Sequence, residues 1–547
     1  MGNPIKYSTS STSGSYNKGN VAIGTNTIGF GPTSTTGWYP GVTPTGGNFV
    51  VMEVVDGNTP PRFYTPVTDN DWLRLARQEG AIGADTGSTA NIKSWFASQA
   101  NYVVTNIDFP LSTPNIVGNG LVLNLEAGIS ASYPGTGTTW SDISGLGNNA
   151  GLFNGVSFNN NGWLNFDGVD DYVYLNNPDR PPLLSPDNVS VNILFKVNTT
   201  SDGVLVRNRT YGYGLSLNNG GLVGFAYYDG GLLTNYDSGT GYIVTNKWYL
   251  ATLTFGDSYF KIYLNGTQLS SNLSVGTNLY YPIGAKAVGI GRDADASGPY
   301  LNGSVSSVQI YNKSLSQAEV LQNYYQAPIV TDGLVFAADA GNLVSYESGS
   351  TTTYSLTGSI SGSLINGTGY SNINNGTWVF DGVDDYTSLG NVFNYTSESF
   401  SFGYWVNFNS FNTNVPGQGP IIFYKGAFNT NGYYLQHSTT SFSFVTNQSG
   451  SSQTTTSVGV NTLGVWYYIV VTRNGSSVRG YVNGVDTTGT AGSHTNPASS
   501  TNDFTLARYA ASIYFNGKLS NFTGYNRALT AAEVLQNFNA QRSRFGV

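Results

Sequence analysis

Phe166-Asp-Gly-Val-Asp-Asp-Tyr172 returns unchanged as Phe380-Asp-Gly-Val-Asp-Asp-Tyr386. Such an identity so far along one chain marks a duplicated unit, and a missed repeat misassigns the whole fold. The flanking stretches keep step with it. Gly120-Leu-Val-Leu-Asn-Leu-Glu-Ala-Gly128 opens the first copy and Gly333-Leu-Val-Phe-Ala-Ala-Asp-Ala-Gly341 the second. Lys247-Trp-Tyr-Leu-Ala-Thr-Leu-Thr-Phe255, followed by Tyr263-Leu-Asn-Gly266, matches Val465-Trp-Tyr-Tyr-Ile-Val-Val-Thr-Arg473, followed by Tyr481-Val-Asn-Gly484. Small drifts in the spacing correspond to loops of different length between equivalent strands. Within each copy, short alternating runs such as Tyr259-Phe-Lys-Ile-Tyr-Leu264 are separated by Asn-Gly or Asp-Gly pairs, the residues that tolerate the positive φ of tight hairpins. The pattern predicts two tandem antiparallel β-sandwiches. Each copy ends on a helical stretch, Leu315–Tyr325 and Leu529–Phe538, where Ser316 with Glu319 and Thr530 with Glu533 have capping-box spacing.

Composition agrees with a mainly β chain. The 547 residues include 69 Gly, 38 Tyr and 28 Phe, and only 10% are charged. β-branched and aromatic residues suit pleated strands, and Gly, Asn and Ser suit turns. The net charge of −8 carries no Lys/Arg run, which argues against nucleic acid as a partner. With no cysteine, disulfides, thiolate metal sites and cysteine nucleophiles are excluded. No stretch approaches the 18 apolar residues of a membrane helix, and residues 1–15 lack the apolar core of a classical signal peptide. The expectation is a protein that does not use the ordinary secretory route.

The opening G-L-V strand, the F-D-G-x-x-D-Y motif, the W-Y strand followed by Y-x-N-G, and the closing E-V helix all occur in order and twice. Together they resemble the laminin G-like members of the concanavalin A-like lectin/glucanase superfamily, in the variety common in bacterial surface proteins and phage virions. The resemblance covers about residues 115–326 and 328–540 and implies jelly-roll sandwiches. It implies fold more firmly than ligand, because the superfamily holds sugar binders, glycosidases and structural modules alike. Four segments are expected: a Ser/Thr/Gly-rich arm over 1–48, a small α+β docking domain over 49–113, and sandwiches over 114–327 and 328–547. The arm lacks the apolar content to order itself. In the docking domain a strand is read at 48–55 and helices at 69–79 and 89–100.

Catalysis is not expected. A glycosidase needs two carboxylates about 5 to 10 Å apart across the scissile bond, and no two glutamates fall near each other on one expected strand. Glu319 and Glu533 read as helix caps. His437 and His494, in Ser/Thr/Asn surroundings of the second copy alone, read as surface residues. Calcium is the one cofactor considered, since it takes six to eight oxygen ligands. Its candidate ligands are Asp170 and Asp171 with Asp384 and Asp385, and, in the first copy alone, Asp293 and Asp295. The opposing reading makes the motif a structural hairpin that carries Tyr172 and Tyr386 into the core. Tyr211, Tyr213, Tyr433 and Tyr434 are candidate platforms for stacking sugar rings, with Tyr227 and Tyr228 beside them.

These features lead to an expected function as a structural virion surface protein of a bacteriophage, in a tail, fibre or baseplate ahead of a capsid decoration. The N-terminal segment would dock to other virion proteins in a homo-oligomer, and the sandwiches would meet a host-surface glycan. The alternatives are a bacterial surface carbohydrate-binding protein and a polysaccharide-degrading tailspike.

Overall fold

The computed structural model describes residues 115–547, apart from 177–186, 209–211, 277, 281–286, 294–298, 359, 414, 416–417 and 511, together with five strands before residue 115. Those five form a pair, Val21–Gly24 with Thr27–Phe30, and a three-stranded sheet with Phe49–Glu53 between Arg62–Tyr64 and Tyr102–Asn106. The strand expected at 48–55 is present. The arm, read as unable to order itself, contains the first strand pair, whose Val-Ala-Ile-Gly and Thr-Ile-Gly-Phe segments are the apolar exceptions in its composition. The helices expected at 69–79 and 89–100 lie outside the described residues.

The rest of the chain forms two sandwiches whose two main sheets share one topology, the second carrying in addition the short pair Arg508–Tyr509 with Ile513–Tyr514. Each has a nine-stranded and an eight-stranded antiparallel sheet. In the first nine-stranded sheet, Val189–Val197 lies between Trp248–Gly256 and Asn302–Tyr311; in the second, Phe400–Phe408 lies between Trp466–Asn474 and Asn516–Tyr525. These central strands are buried almost throughout, on the outer face as well as on the inner one. The two inner faces are filled differently. The first core is mainly aliphatic, with Val191, Ile193, Leu253 and Val308 at its middle. The second is aromatic: Phe402 meets the rings of Phe400, Phe423 and Phe504 at centroid distances of 5.2, 5.1 and 5.3 Å. One topology accepts both fillings because volume and pattern, more than residue identity, satisfy a core.

The Asn-Gly turns behave as their chemistry requires. Asn265 and Gly266 have φ of 51° and 75°, and Asn483 and Gly484 have 50° and 82°. Each asparagine also accepts, through its side chain, the backbone N–H of Leu250 or Tyr468 on the neighbouring strand. A Cβ at Gly266 would meet Leu321 at 2.9 Å, and one at Gly484 would meet Leu535 at 2.8 Å, so each turn lies directly under a closing helix. Those helices, Gln317–Tyr325 and Ala531–Phe545, start on the expected capping boxes. Lys313 pairs with Glu319 at 2.6 Å and Arg527 with Glu533 at 2.7 Å, anchoring the carboxylates at the helix N-termini.

The cores are separate, and the sandwiches meet at a seam. Trp163, Leu194, Trp248, Leu250 and Tyr324 of the first pack against Ala337 and Leu356 of the second, with Leu343 and Val344 partly buried alongside. At its edge the Glu347 carboxylate accepts Lys196 Nζ at 2.8 Å and Trp248 Nε1 at 3.0 Å. The same ammonium lies 4.8 and 5.2 Å from the ring centroids of Trp163 and Trp248. Tyr324 donates its hydroxyl to the Leu356 carbonyl at 2.9 Å. In the second sandwich the face equivalent to Leu194 and Leu250 carries Trp405 and Tyr468. There the extended closing helix supplies the cover: Phe538 lies 5.8 Å from Trp405, and Gln541 accepts the Trp405 indole N–H at 2.9 Å.

Candidate functional site: two acidic corners

Strand Trp163–Asp167 belongs to one sheet of the first sandwich and strand Tyr172–Asn176 to the other. The F-D-G-V-D-D-Y motif is therefore a corner between sheets, not the hairpin expected from its Asp-Gly step. Its geometry recurs in both copies. Asp167 Oδ1 accepts the N–H groups of Val169 at 2.7 Å and Asp170 at 3.3 Å, and Asp171 Oδ2 accepts the N–H of Asp167 at 3.0 Å. In the second copy Asp381 Oδ1 accepts from Val383 and Asp384 at 2.7 and 3.4 Å, and Asp385 Oδ2 accepts from Asp381 at 3.1 Å. Gly168, at φ 80°, faces Asn302 so closely that a Cβ would stand 2.7 Å from it.

What the motif buries is its last aspartate. Asp171 and Asp385 are each 4% exposed, while Tyr172 and Tyr386 are half-buried. The tyrosines instead support a cation: the Arg292 and Arg508 guanidinium carbons each sit 3.5 Å from the Tyr172 and Tyr386 ring centroids. Arginine recurs here although the flanking acids do not, a signal legible in the sequence as Gly291-Arg-Asp and Ala507-Arg-Tyr.

Within each corner three carboxylates approach one another, Asp167, Asp170 and Asp171 in the first and Asp381, Asp384 and Asp385 in the second, with one oxygen of each inside a 4.8 Å spread. Burial, with the neighbouring acids adding repulsion, pushes Asp171 above the usual carboxylate range and Asp385 up to about 6. Asp171 Oδ1 is buried and has no hydrogen-bond partner. Crowded carboxylates with an unsatisfied oxygen suit a hard cation. The corners thus bring together Asp170 with Asp171 and Asp384 with Asp385, and add Asp167 and Asp381, whose carboxylates also accept the backbone N–H groups of the turn.

The other candidates fare differently. Asp293 is buried and ion-paired to Arg207 at 3.1 Å, so its charge is already met, and Asp295 lies outside the described residues. Tyr213 and Tyr433 are fully buried and Tyr434 is 7% exposed, so these three cannot offer a ring to a sugar. Tyr433 donates to the Phe393 carbonyl at 2.6 Å, and Tyr434 is covered by Tyr424 and Tyr509. Tyr211 lies outside the described residues; Tyr227 and Tyr228 are half-buried. The surface reading of the histidines is also corrected. His437 and His494 are 1% and 2% exposed: His437 Nε2 meets the Tyr404 hydroxyl at 2.8 Å, and His494 lies between the hydroxyls of Thr446 and Thr455 at 2.9 and 2.7 Å.

The described glutamates have structural surroundings. Glu319 and Glu533 are caps, Glu347 closes the seam, and Glu398 accepts the Thr396 N–H. Glu126 is 8% exposed, accepts Gln309 Nε2 at 2.7 Å, and lines a cavity of about 20 Å³ between the sandwiches. Burial raises its carboxyl to about 8, and the Gln309 hydrogen bond acts against that rise.

A laminin G family model, described as the concanavalin A-like lectin/glucanases superfamily, matches residues 167–321 and 381–535, together more than half of the chain. No curated protein sequence matches. Among solved structures the chain is similar to domain 4 of AbnA, a GH43 extracellular arabinanase from Geobacillus stearothermophilus, in complex with arabinotriose (16% identity, 38% of this chain and 98% of that one, TM-score 0.30). It is similar to the botulinum neurotoxin serotype D ligand binding domain in complex with N-acetylneuraminic acid (13%, 75% and 97%, 0.33) and to mouse laminin alpha1 domains LG4-5 (11%, 69% and 94%, 0.26). At these identities and scores the structural likenesses carry no argument about ligand or activity. The repeated motifs, the duplicated topology and the family match agree: this chain belongs to the concanavalin A-like lectin/glucanase superfamily through two tandem laminin G-like domains.

Proposed function

We propose that this protein is a structural surface component of a bacteriophage virion, of the tail, fibre or baseplate, that presents two non-enzymatic lectin-like sandwiches to a host-surface glycan. The observation that carries the reading is the division of labour along the chain. Each sandwich fills its own core, whereas residues 1–48 are dominated by Ser, Thr, Gly and Asn, a composition too poor in apolar surface to build a core of its own. The N-terminal segment then supplies docking and self-association, and the sandwiches supply outward contact. Immunogold labelling of purified particles tests this; label confined to infected-cell lysate, away from particles, would refute it. Deleting residues 1–48 should leave the unfolding of the sandwiches nearly unchanged and abolish incorporation into particles, read by particle composition. Normal assembly of the truncated protein would move the docking surface to residues 49–113 or to a sandwich.

The unsatisfied Asp171 oxygen favours a second element of the reading, calcium at the two acidic corners. Asp167, Asp170 and Asp171 would hold it in one copy and Asp381, Asp384 and Asp385 in the other, and the ion would relieve the repulsion that raises Asp171 and Asp385. Adding 1 mM CaCl₂, a probe concentration chosen as ~100 times a 10 µM dissociation constant, should stabilise each site by about 2.7 kcal/mol. Differential scanning calorimetry against EDTA reads the shift. An unchanged melting temperature, or an equal shift in Asp171→Asn/Asp385→Asn, would leave the corners purely structural.

A further inference from the structure

We infer that the cleft between the two sandwiches binds a short acidic oligosaccharide. The inference rests on the glycan-adhesion reading and gives that contact a place and a charge. The cleft has a volume of about 650 Å³, within the range of small-molecule sites. One wall comes from the start of strand Trp248–Gly256 in the first sandwich, and the other from the stretch between Leu343 and Ser361 in the second. Neither sandwich has it alone. In the second copy the tryptophan equivalent to Trp248 is Trp466, whose indole N–H is taken by Asn374 of the same domain at 3.0 Å.

The lining decides the chemical class. Thr352 and Ser361 bring hydroxyls, Asn246 an amide, and Tyr354 a ring that is 42% exposed, whereas Tyr213, Tyr433 and Tyr434 are covered. A sugar offers complementary surfaces: hydroxyls for the polar groups and an apolar C–H face for the ring. Two charged side chains line the cleft, and they differ. The Glu347 carboxylate is already held by Lys196 and the Trp248 indole. Lys247 is exposed, forms no ion pair among the described residues, and places its ammonium 5.3 Å from the Tyr354 ring centroid. A protein of net charge −8 that keeps a free cation beside an exposed ring presents a local exception suited to a carboxylate-bearing sugar.

Isothermal titration of the intact chain with trigalacturonate and a hyaluronan tetrasaccharide, against maltotriose and cellotetraose, tests the assignment. Binding of an acidic sugar that weakens with salt, falls at least tenfold in Lys247→Ala and in Tyr354→Ala, and exceeds that of the neutral sugars is expected. Unchanged melting temperatures of both variants exclude misfolding as the cause. No acidic binding, equal neutral binding, or wild-type affinity in both variants overturns it. Adhesion of the intact chain to bacterial cells separates the two levels. Adhesion undiminished in the double variant removes the cleft and leaves glycan contact elsewhere on the sandwiches, whereas absence of adhesion and of all sugar binding removes both.

Discussion

Lowering the pH from 7 to 4.5 is expected to destabilise the second sandwich by roughly 3 kcal/mol, while the first gains stability over the same interval. The cause in the second is its pair of buried histidines. Desolvation lowers His437 to about 3, and desolvation together with the nearby Arg473 charge lowers His494 to about 4. In the unfolded chain both protonate near 6.5. Below that pH the unfolded state binds more protons than the folded one, so stability falls as pH falls. At about 1.4 kcal/mol per pH unit, each histidine costs about 2.7 kcal/mol by pH 4.5. Asp385, raised to about 6, acts oppositely and returns about 2 kcal/mol between pH 6 and 4.5.

The sign reverses in the first sandwich, which has no histidine. Glu126, raised to about 8, keeps its proton in the folded protein while the unfolded chain loses it near 4.5. Its contribution is fully favourable below about pH 4.5 and is lost as pH rises through 8. Calorimetry between pH 7 and 4.5 should therefore resolve the joint transition of the sandwiches, on acidification, into two that move in opposite directions. Tyr404→Phe/His437→Phe replaces both partners of one buried hydrogen bond by rings of similar shape. It should remove about 2.7 kcal/mol, most of the net acid loss, and a wild-type profile in that variant would assign the loss to other groups.

The fold was legible because duplication states the pattern twice, so that motifs weak alone became a framework when they recurred in order. What misled was local chemistry with more than one use. Asp-Gly marks a positive-φ turn whether the chain returns to the same sheet or crosses to the other, and Asp167-Gly168 crosses. His494 was read as exposed from its Ser/Thr/Asn neighbours, yet Thr446 and Thr455 point inward from paired strands and make a small polar pocket for it. Tyr433 and Tyr434, adjacent on a strand, face opposite sides, and both sides are covered. The seam and its cleft left no mark in the repeat comparison. Lys196 and Glu347 have Asn407 and Pro134 at the corresponding positions, and residues private to one copy look like divergence until the copies are placed together.

Glu347→Ala should cost about 2 to 3 kcal/mol and split a joint unfolding transition of the sandwiches into two. Removing one partner of a buried ion pair costs about 3 to 5 kcal/mol, because the other charge stays buried without compensation. The lower figure applies here because the Glu347 side chain is 31% exposed, although that of Lys196 is only 13% exposed. The loss extends beyond the ion pair. The Trp248 indole N–H loses its acceptor, and the ammonium above Trp163 and Trp248 loses the carboxylate that holds it there. The double change Lys196→Met/Glu347→Leu leaves no charge unpaired and should recover most of the stability. Residues 328–547 expressed alone should still fold, since their aromatic core is complete, but with Ala337, Leu343, Val344 and Leu356 uncovered they should be less soluble than the intact pair. Calorimetry on the three proteins decides the matter. A single unshifted transition in Glu347→Ala would mean that the apolar contacts of Trp248, Leu250 and Tyr324 hold the seam without the ion pair.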